Sequence, residues 1–319
     1  MLAKPPPREG SLGFLYLPPY RVQGVSVAGE ATAIQVPELD ICFDMGSCPR
    51  PMLASKFVAL SHGHMDHVGG LAYYCSQRKF QGMGVGTILC DARIAPAVRG
   101  MMDGFIELEQ QRTPYELIPL EPEDEFEIKP SIFARLFHTE HTSPSAGFCV
   151  FEKRNKLKQE FTGFPQEKLR ELKQRGIQIT RTLFVPLVSY LGDTAPGAHL
   201  IRDDVRQSKI VICECTFFDP DHRQRAKIGM HLHAADVAEW LGVLECQHLV
   251  LAHVSRRTNL SYARQHLTQL AGDDRMGRVH FLMDHRNNRQ RYECQLAEAE
   301  ASERGAIGAS NRDNSRGGG

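Results

Sequence analysis

The chain lacks the features that would take it out of water. No apolar run approaches the roughly 18 to 20 residues that a membrane-spanning helix needs. The opening Met1-Leu2-Ala3-Lys4-Pro5-Pro6-Pro7-Arg8-Glu9-Gly10 has no apolar centre of the kind a secretory signal carries. Paired cysteines are lacking too. The nine cysteines, from Cys42 to Cys294, are odd in number and contain no CxxC pair. That argues against a disulfide framework and for a reducing compartment, so a cytoplasmic location is expected. Net charge is zero, with 38 Lys and Arg against 38 Asp and Glu. Bulk attraction for nucleic acid is excluded, and any such binding needs a local patch. No internal repeat is visible.

What is present is an ordinary globular composition, 42% hydrophobic and 24% charged over 319 residues. Pro and Gly at 1–13 predict a flexible N-terminus, and the polar, Gly-rich 301–319 predicts a disordered tail. Residues 14–300 are expected to form a single domain. Within it short apolar runs alternate with helical stretches. Val25–Val27 and Ala33–Val36 predict paired strands around Gly29-Glu30. Further strands are predicted at Ile41–Asp44, Phe57–Leu60, Thr87–Cys90, Ile132–Phe137, Phe148–Phe151, Leu183–Leu187, Ser189–Leu191, Ile210–Cys215 and His248–Ala252. Helices are predicted over Val68–Gln77, Pro96–Phe105 and Ala234–Leu244. The rhythm is α/β and implies a layered sandwich of sheets and helices.

Ser61-His62-Gly63-His64-Met65-Asp66-His67 concentrates the chemistry. It follows an apolar strand, so alternation puts His62 and His64 on one side. Asp66 and His67 sit where a helix begins. One turn can thus serve two metals about 3.5 to 4 Å apart, which together make water nucleophilic at neutral pH. Imidazole and carboxylate suit zinc, with manganese or iron as alternatives. Two metals need more ligands, and three candidates stand at later strand ends: His141, Asp193 and His253. The two oxygens of Asp193 make it the natural bridge.

His62-Gly63-His64-Met65-Asp66-His67 resembles the motif of the metallo-β-lactamase superfamily. The rest resembles one branch of it, the tRNase Z group of tRNA 3′-processing endoribonucleases, in its short form. Ile41–Gly46 is similar to the opening strand of that group, and His141 to Phe148 to its central His motif. Gly192-Asp193-Thr194 resembles its GDT motif, Cys213–Phe217 its HEAT motif and His231–Ala234 its HST motif. His253-Val254-Ser255-Arg256-Arg257 resembles its last motif. The match is collinear over about residues 22–270.

The resemblance implies an αβ/βα four-layer sandwich of two mixed β-sheets flanked by helices. It implies two Zn2+ ions, one on His62, His64 and His141, the other on Asp66, His67 and His253, with Asp193 between them. The catalytic set would be Asp66, His231 as proton donor, and Glu214 behind it. The substrate would be precursor tRNA or another phosphodiester, and the protein a homodimer. His138 competes with His141, but the six-residue step from His141 to Gly147 fits the family. His233 stands where many relatives carry Thr, so it either assists His231 or faces solvent.

Arg257, Lys156 and Lys158 are the candidates for binding substrate. Residues 152–181 carry nine Lys or Arg against four Glu inside a neutral chain. Many bacterial relatives have a long Gly/Pro-rich arm before the GDT motif. Here 44 residues separate Phe148 from Asp193, and the sequence predicts no such arm. The alternative function is a hydrolase of the same fold acting on a small ester, thioester or cyclic nucleotide.

Overall fold

A computed structural model of the chain describes residues 2–5 and 12–314. The first sheet is formed by β1 (Gly13–Leu17), β2 (Tyr20–Val27), β3 (Ala31–Val36), β4 (Ile41–Phe43), β5 (Phe57–Leu60), β6 (Gly86–Asp91) and β7 (Tyr115–Leu120), side by side in that order. It is antiparallel as far as β4 and parallel from β4 to β7. The second sheet holds β8 (Glu125–Lys129), β9 (Ile132–Thr139), β10 (Ser145–Leu157), β11 (Thr180–Tyr190), β12 (Ile210–Glu214), β13 (His248–Ala252) and β14 (Val279–Phe281). It too begins antiparallel and turns parallel, from β11 onward.

Alternation builds the layers. From the first sheet Ile34, Phe43, Phe57 and Ala59 point inward, and they share a core with Leu136, Phe148, Val188, Ile212 and Val250 of the second. Val58, Leu60 and Ile88 point outward onto Leu71, Tyr74 and Met102 of the flanking helices. On the other side Val211, Cys213, Leu249 and Leu251 meet Leu232, Val237 and Leu267. Each fully buried side chain of this size contributes about 1.5–3 kcal/mol. The result is helix, sheet, sheet, helix, the four-layer sandwich expected.

Three local readings change. The helix expected over Val68–Gln77 is two, Met65–Val68 and Leu71–Phe80. They break at Gly69-Gly70, where a Cβ on Gly70 would stand 2.7 Å from the Ser47 backbone. The two runs at Leu183–Leu187 and Ser189–Leu191 are one strand, β11, since Pro186 sits at a bulge against β10. A final helix, His285–Asn314, runs past residue 301, where the tail was expected to begin; residues 315–319, like 1 and 6–11, lie outside the described residues.

A two-stranded ribbon, not a Gly/Pro-rich arm, occupies this stretch. β10 pairs with β9 only as far as Glu152, and β12 meets β11 only from Val188. Between these limits β10 and β11 continue alone, pairing from Lys153 with Phe184 to Leu157 with Thr180. The ribbon is tipped by the helix Gln166–Gln174, which buries no residue. It was invisible because its residues bury no continuous face and so leave no hydrophobic period.

Candidate metal centre

The parallel strands bring their C-terminal ends to one rim of the sandwich. β5 ends at Leu60 and delivers His62 and His64, and the short helix Met65–Val68 presents Asp66 and His67. His141 lies between β9 and β10, Asp193 follows β11, Glu214 closes β12 and His253 follows β13. Gly192 adopts φ 63°, and a Cβ there would stand 2.6 Å from that of Ser61. Glycine therefore lets the Asp193 turn close against the His62 turn. His253 itself is left-handed, φ 54°, a backbone form rare for non-glycine residues but more often tolerated by His.

The seven candidate ligands stand together. Ligand atoms of His62, His64 and His141 lie within 4.8 Å of one another, as do those of His62, His67 and Asp193, and those of Asp66, His67 and His253. Asp193 Oδ2 is 3.9 Å from His62 Nε2, 3.3 Å from His67 Nε2 and 3.2 Å from His253 Nε2. It reaches rings from both groups, as a bridging carboxylate must.

The hydrogen bonds behind the rings decide what those atoms are. Asp44 accepts from His67 Nδ1 at 2.7 Å. It also accepts from Ser61 Oγ at 2.7 Å, so the lone pairs of that hydroxyl face His62 Nδ1 at 3.0 Å. Glu214 accepts from Thr216 Oγ1 at 2.6 Å, and that hydroxyl faces His253 Nδ1 at 3.0 Å. His141 Nδ1 donates to the Met230 carbonyl at 3.0 Å. In each case Nδ1 carries the proton, so Nε2 presents a lone pair to the cluster. The buried His62 Nε2 and His67 Nε2 have no hydrogen-bond partner. His67 Nε2 and Asp193 Oδ2 are close, but on this tautomer both are acceptors.

Imidazole lone pairs and two carboxylates converging, two of the ring nitrogens buried with no hydrogen-bond partner, call for a cation, and the donor set fits a divalent metal. The two carboxylates draw positive charge, whether a proton or a metal, to this point. Burial alone would raise the Asp193 carboxyl, yet His253 and His67 hold it well below its ordinary value. Burial would lower His67, yet Asp193 and Asp44 hold it well above the usual imidazole value. His62 is pushed down to about 2 by burial and then by neighbouring His67. Positive charge is favoured beside Asp193, while His62 is kept neutral and so keeps its lone pair.

Asp44, Ser61 and Thr216 were not among the residues singled out for function. Asp44 is fully buried at the end of β4, with φ 57°. It takes a further hydrogen bond of 2.5 Å from Tyr190. A carboxylate closing an apolar strand, one register from the strand before the His cluster, was the available signal.

Glu214 and His231 pair as expected. The His231 Nδ1 to Glu214 Oε1 distance is 2.7 Å, and Glu214 is also held by the backbone N–H groups of Thr194 and Thr216. The His231 ring lies 5.0 Å from that of His141. His233 faces neither solvent nor His231. It is buried, accepts from Ala235 N and caps the helix Ala234–Trp240. His138 is turned away, bonded at 2.9 Å to Asp91, which also holds Arg93.

The substrate-binding candidates are dispersed. Arg256 is engaged by Glu30. Arg257 is exposed and lines a cavity that begins at Thr216. Lys156 pairs in register with Arg181 on the ribbon, nine residues before Tyr190. At 3.3 Å per residue that is about 30 Å from the strand end at the metal centre. The structure does not bring Lys156 or Lys158 to the cluster.

Comparison with known proteins supplies a family. A model described as the β-lactamase superfamily domain matches residues 48–254, a span that contains all seven candidate ligands. Arabidopsis thaliana tRNase Z TRZ1 is 30% identical over 241 residues, covering 75% of this chain and 86% of that protein. The nuclear ribonuclease Z of Triticum aestivum is 34% identical over 164 residues, 51% of this chain and 93% of that protein. The crystal structure of human tRNase Z, short form, superposes with a TM-score of 0.51 at 18% identity, covering 77% of this chain and 93% of that one, and speaks for the fold. The chain belongs to the β-lactamase superfamily and, within it, to the tRNase Z family of metal-dependent hydrolases.

Proposed function

We propose that the protein is a two-zinc endoribonuclease that removes the 3′ trailer from precursor tRNA. The observation that carries this is the convergence of five imidazoles, four of them with Nε2 left free by their hydrogen bonds, and two carboxylates on one rim, with the Glu214–His231 pair beside them. His62, His64 and His141 would hold one metal, Asp66, His67 and His253 the other, and Asp193 both. Bound zinc supplies Lewis acidity and brings the pKa of a water ligand near neutrality.

The chain's own residues do the rest. Asp44, directly and through Ser61, and Glu214 through Thr216 fix ring orientation before substrate arrives. In hydrolysis a water oxygen bonds to phosphorus, the bond from phosphorus to the 3′ oxygen of the tRNA breaks, and that oxygen takes a proton. His231 is placed to give it. Burial lowers the pKa of this ring, but the hydrogen bond and charge of Glu214 outweigh burial and hold it above the ordinary imidazole value. The ring therefore keeps its second proton to higher pH, as a donor should. The products are a 3′-hydroxyl on the tRNA and a 5′-phosphate on the trailer.

The basic ribbon favours RNA over a small ester. Nine Lys or Arg on residues 152–181, seven of them exposed and Lys156 about 30 Å from the strand end at the centre by strand rise, suit a long anionic substrate. The test is a precursor tRNA with a 3′ trailer, incubated with and without chelator. Cleavage after the discriminator nucleotide that the chelator blocks supports the reading. Turnover of a small diester without any cleavage of the tRNA would move the protein to the small-ester class.

A further inference from the structure

Beside the metal centre is a cavity of about 300 Å3, bounded by Thr216, Phe217, Tyr262, Arg225 and Arg257 among others. That volume lies at the lower end of the range for small-ligand sites, roughly 300–1,000 Å3. Its walls are aromatic. Phe217 is partly exposed, with the Arg225 guanidinium 5.7 Å from its ring centre and His222 edge-on to it at 6.0 Å. Tyr262, also in the lining, is 44% exposed and backed by His266, the rings 5.8 Å apart and within 5° of parallel. Neither Arg225 nor Arg257 forms an ion pair with a carboxylate among the described residues; Arg225 donates to His222 Nε2 at 3.2 Å. The one carboxylate in the lining, Asp219, is turned back to accept from the Asp221 backbone at 3.0 Å.

Flat aromatic faces with unpaired guanidinium groups are a stacking site for an anionic planar ligand, and every base has a π-face to offer. Position then selects the nucleotide. The Phe217 ring lies 6.0 Å from His231, and Thr216 joins the cavity to the hydrogen bonds behind His253. His231 protonates the 3′ oxygen that leaves, so the residue bearing that oxygen must lie beside it.

We propose that this cavity binds the unpaired nucleotide on the 5′ side of the scissile phosphate, with its base between Phe217 and Tyr262 and the flanking phosphates near Arg225 and Arg257. The inference rests on the RNA-cleaving reading above and assigns the substrate contact that fixes the cut. Stacking makes the site tolerant of which base it takes and intolerant of having none. It is a positioning contact, so its loss appears in KM and in accuracy of the cut.

The experiment crosses two substrates with three zinc-loaded enzymes. The substrates are a precursor tRNA with its discriminator base present and the same RNA abasic at that one position. The enzymes are wild type, Phe217→Ala and Phe217→Tyr. Removing the base should raise KM about tenfold in wild type, in line with base–aromatic stacking, and less than about twofold in Phe217→Ala. Phe217→Tyr should restore the wild-type penalty. Tyr262→Leu, at another aromatic of the lining, repeats the cycle should Phe217→Ala misfold. An equal abasic penalty in wild type and both wall variants, or no penalty in wild type, overturns this assignment and leaves the endonuclease reading standing. Failure of wild type to cut the intact precursor overturns both.

Discussion

At the rim of the sandwich every imidazole of the cluster but His64 has its Nδ1 held by a carboxylate, a hydroxyl or a carbonyl. On the ribbon from Arg154 to Gln178 no residue is buried at all. The two regions belong to one strand pair, since β10 and β11 run from the centre out to the ribbon. The inner ends are positioned by the core before any ligand arrives. The outer ends are free to be positioned by what they bind. A region of the first kind fails through geometry, and one of the second kind through affinity and salt.

That difference can be broken from the inside first. Asp193→Ala removes the carboxylate shared by the two groups of rings, and should lower precursor cleavage by about a thousandfold or more, with metal content falling alongside. His231→Gln should keep its metal and lose about a hundredfold or more in kcat, within the usual range for a general acid. Single-turnover kinetics at saturating RNA reads it directly. Asp44→Asn is the subtler cut. It touches no metal, but an amide cannot accept from His67, Ser61 and Tyr190 as the carboxylate does. Zinc affinity should drop about 10–100-fold, the cost typical of losing such a support, as measured by chelator competition.

The ribbon should respond the other way. Replacing Lys156, Lys158, Lys168 and Lys173 with Ala should weaken precursor binding. It should also flatten the salt dependence of binding, by about 0.7 to 0.9 units of log–log slope for each phosphate no longer neutralised. Unfolding free energy should move by no more than about 0.5 kcal/mol, because exposed substitutions rarely do more. A large loss of stability in this variant would show that the ribbon is packed after all.

Legibility in the sequence followed the same division. The strands that carry ligands are apolar runs that end in a polar residue, so Phe57–Leu60 before His62 and His248–Ala252 before His253 could be read directly. All seven candidate ligands were named on residue type and place. The groups that orient them were missed, because Ser61, Thr216 and the Met230 carbonyl look ordinary until a fold sets them behind a ring. The ribbon was missed for the opposite reason. Its residues answer to no core, so neither period 2 nor period 3.6 marks them, and only their charge was visible. β14 and β8 also escaped, being short edge strands with few apolar positions to alternate.

Everything proposed for the rim depends on seven residues making one two-metal centre. The direct measurement is the metal content of purified protein after zinc loading and desalting, with Asp193→Ala beside it. Wild type should hold two zinc ions per chain and the variant clearly fewer. Fewer than one per chain in wild type, or an unchanged content in Asp193→Ala, would contradict it.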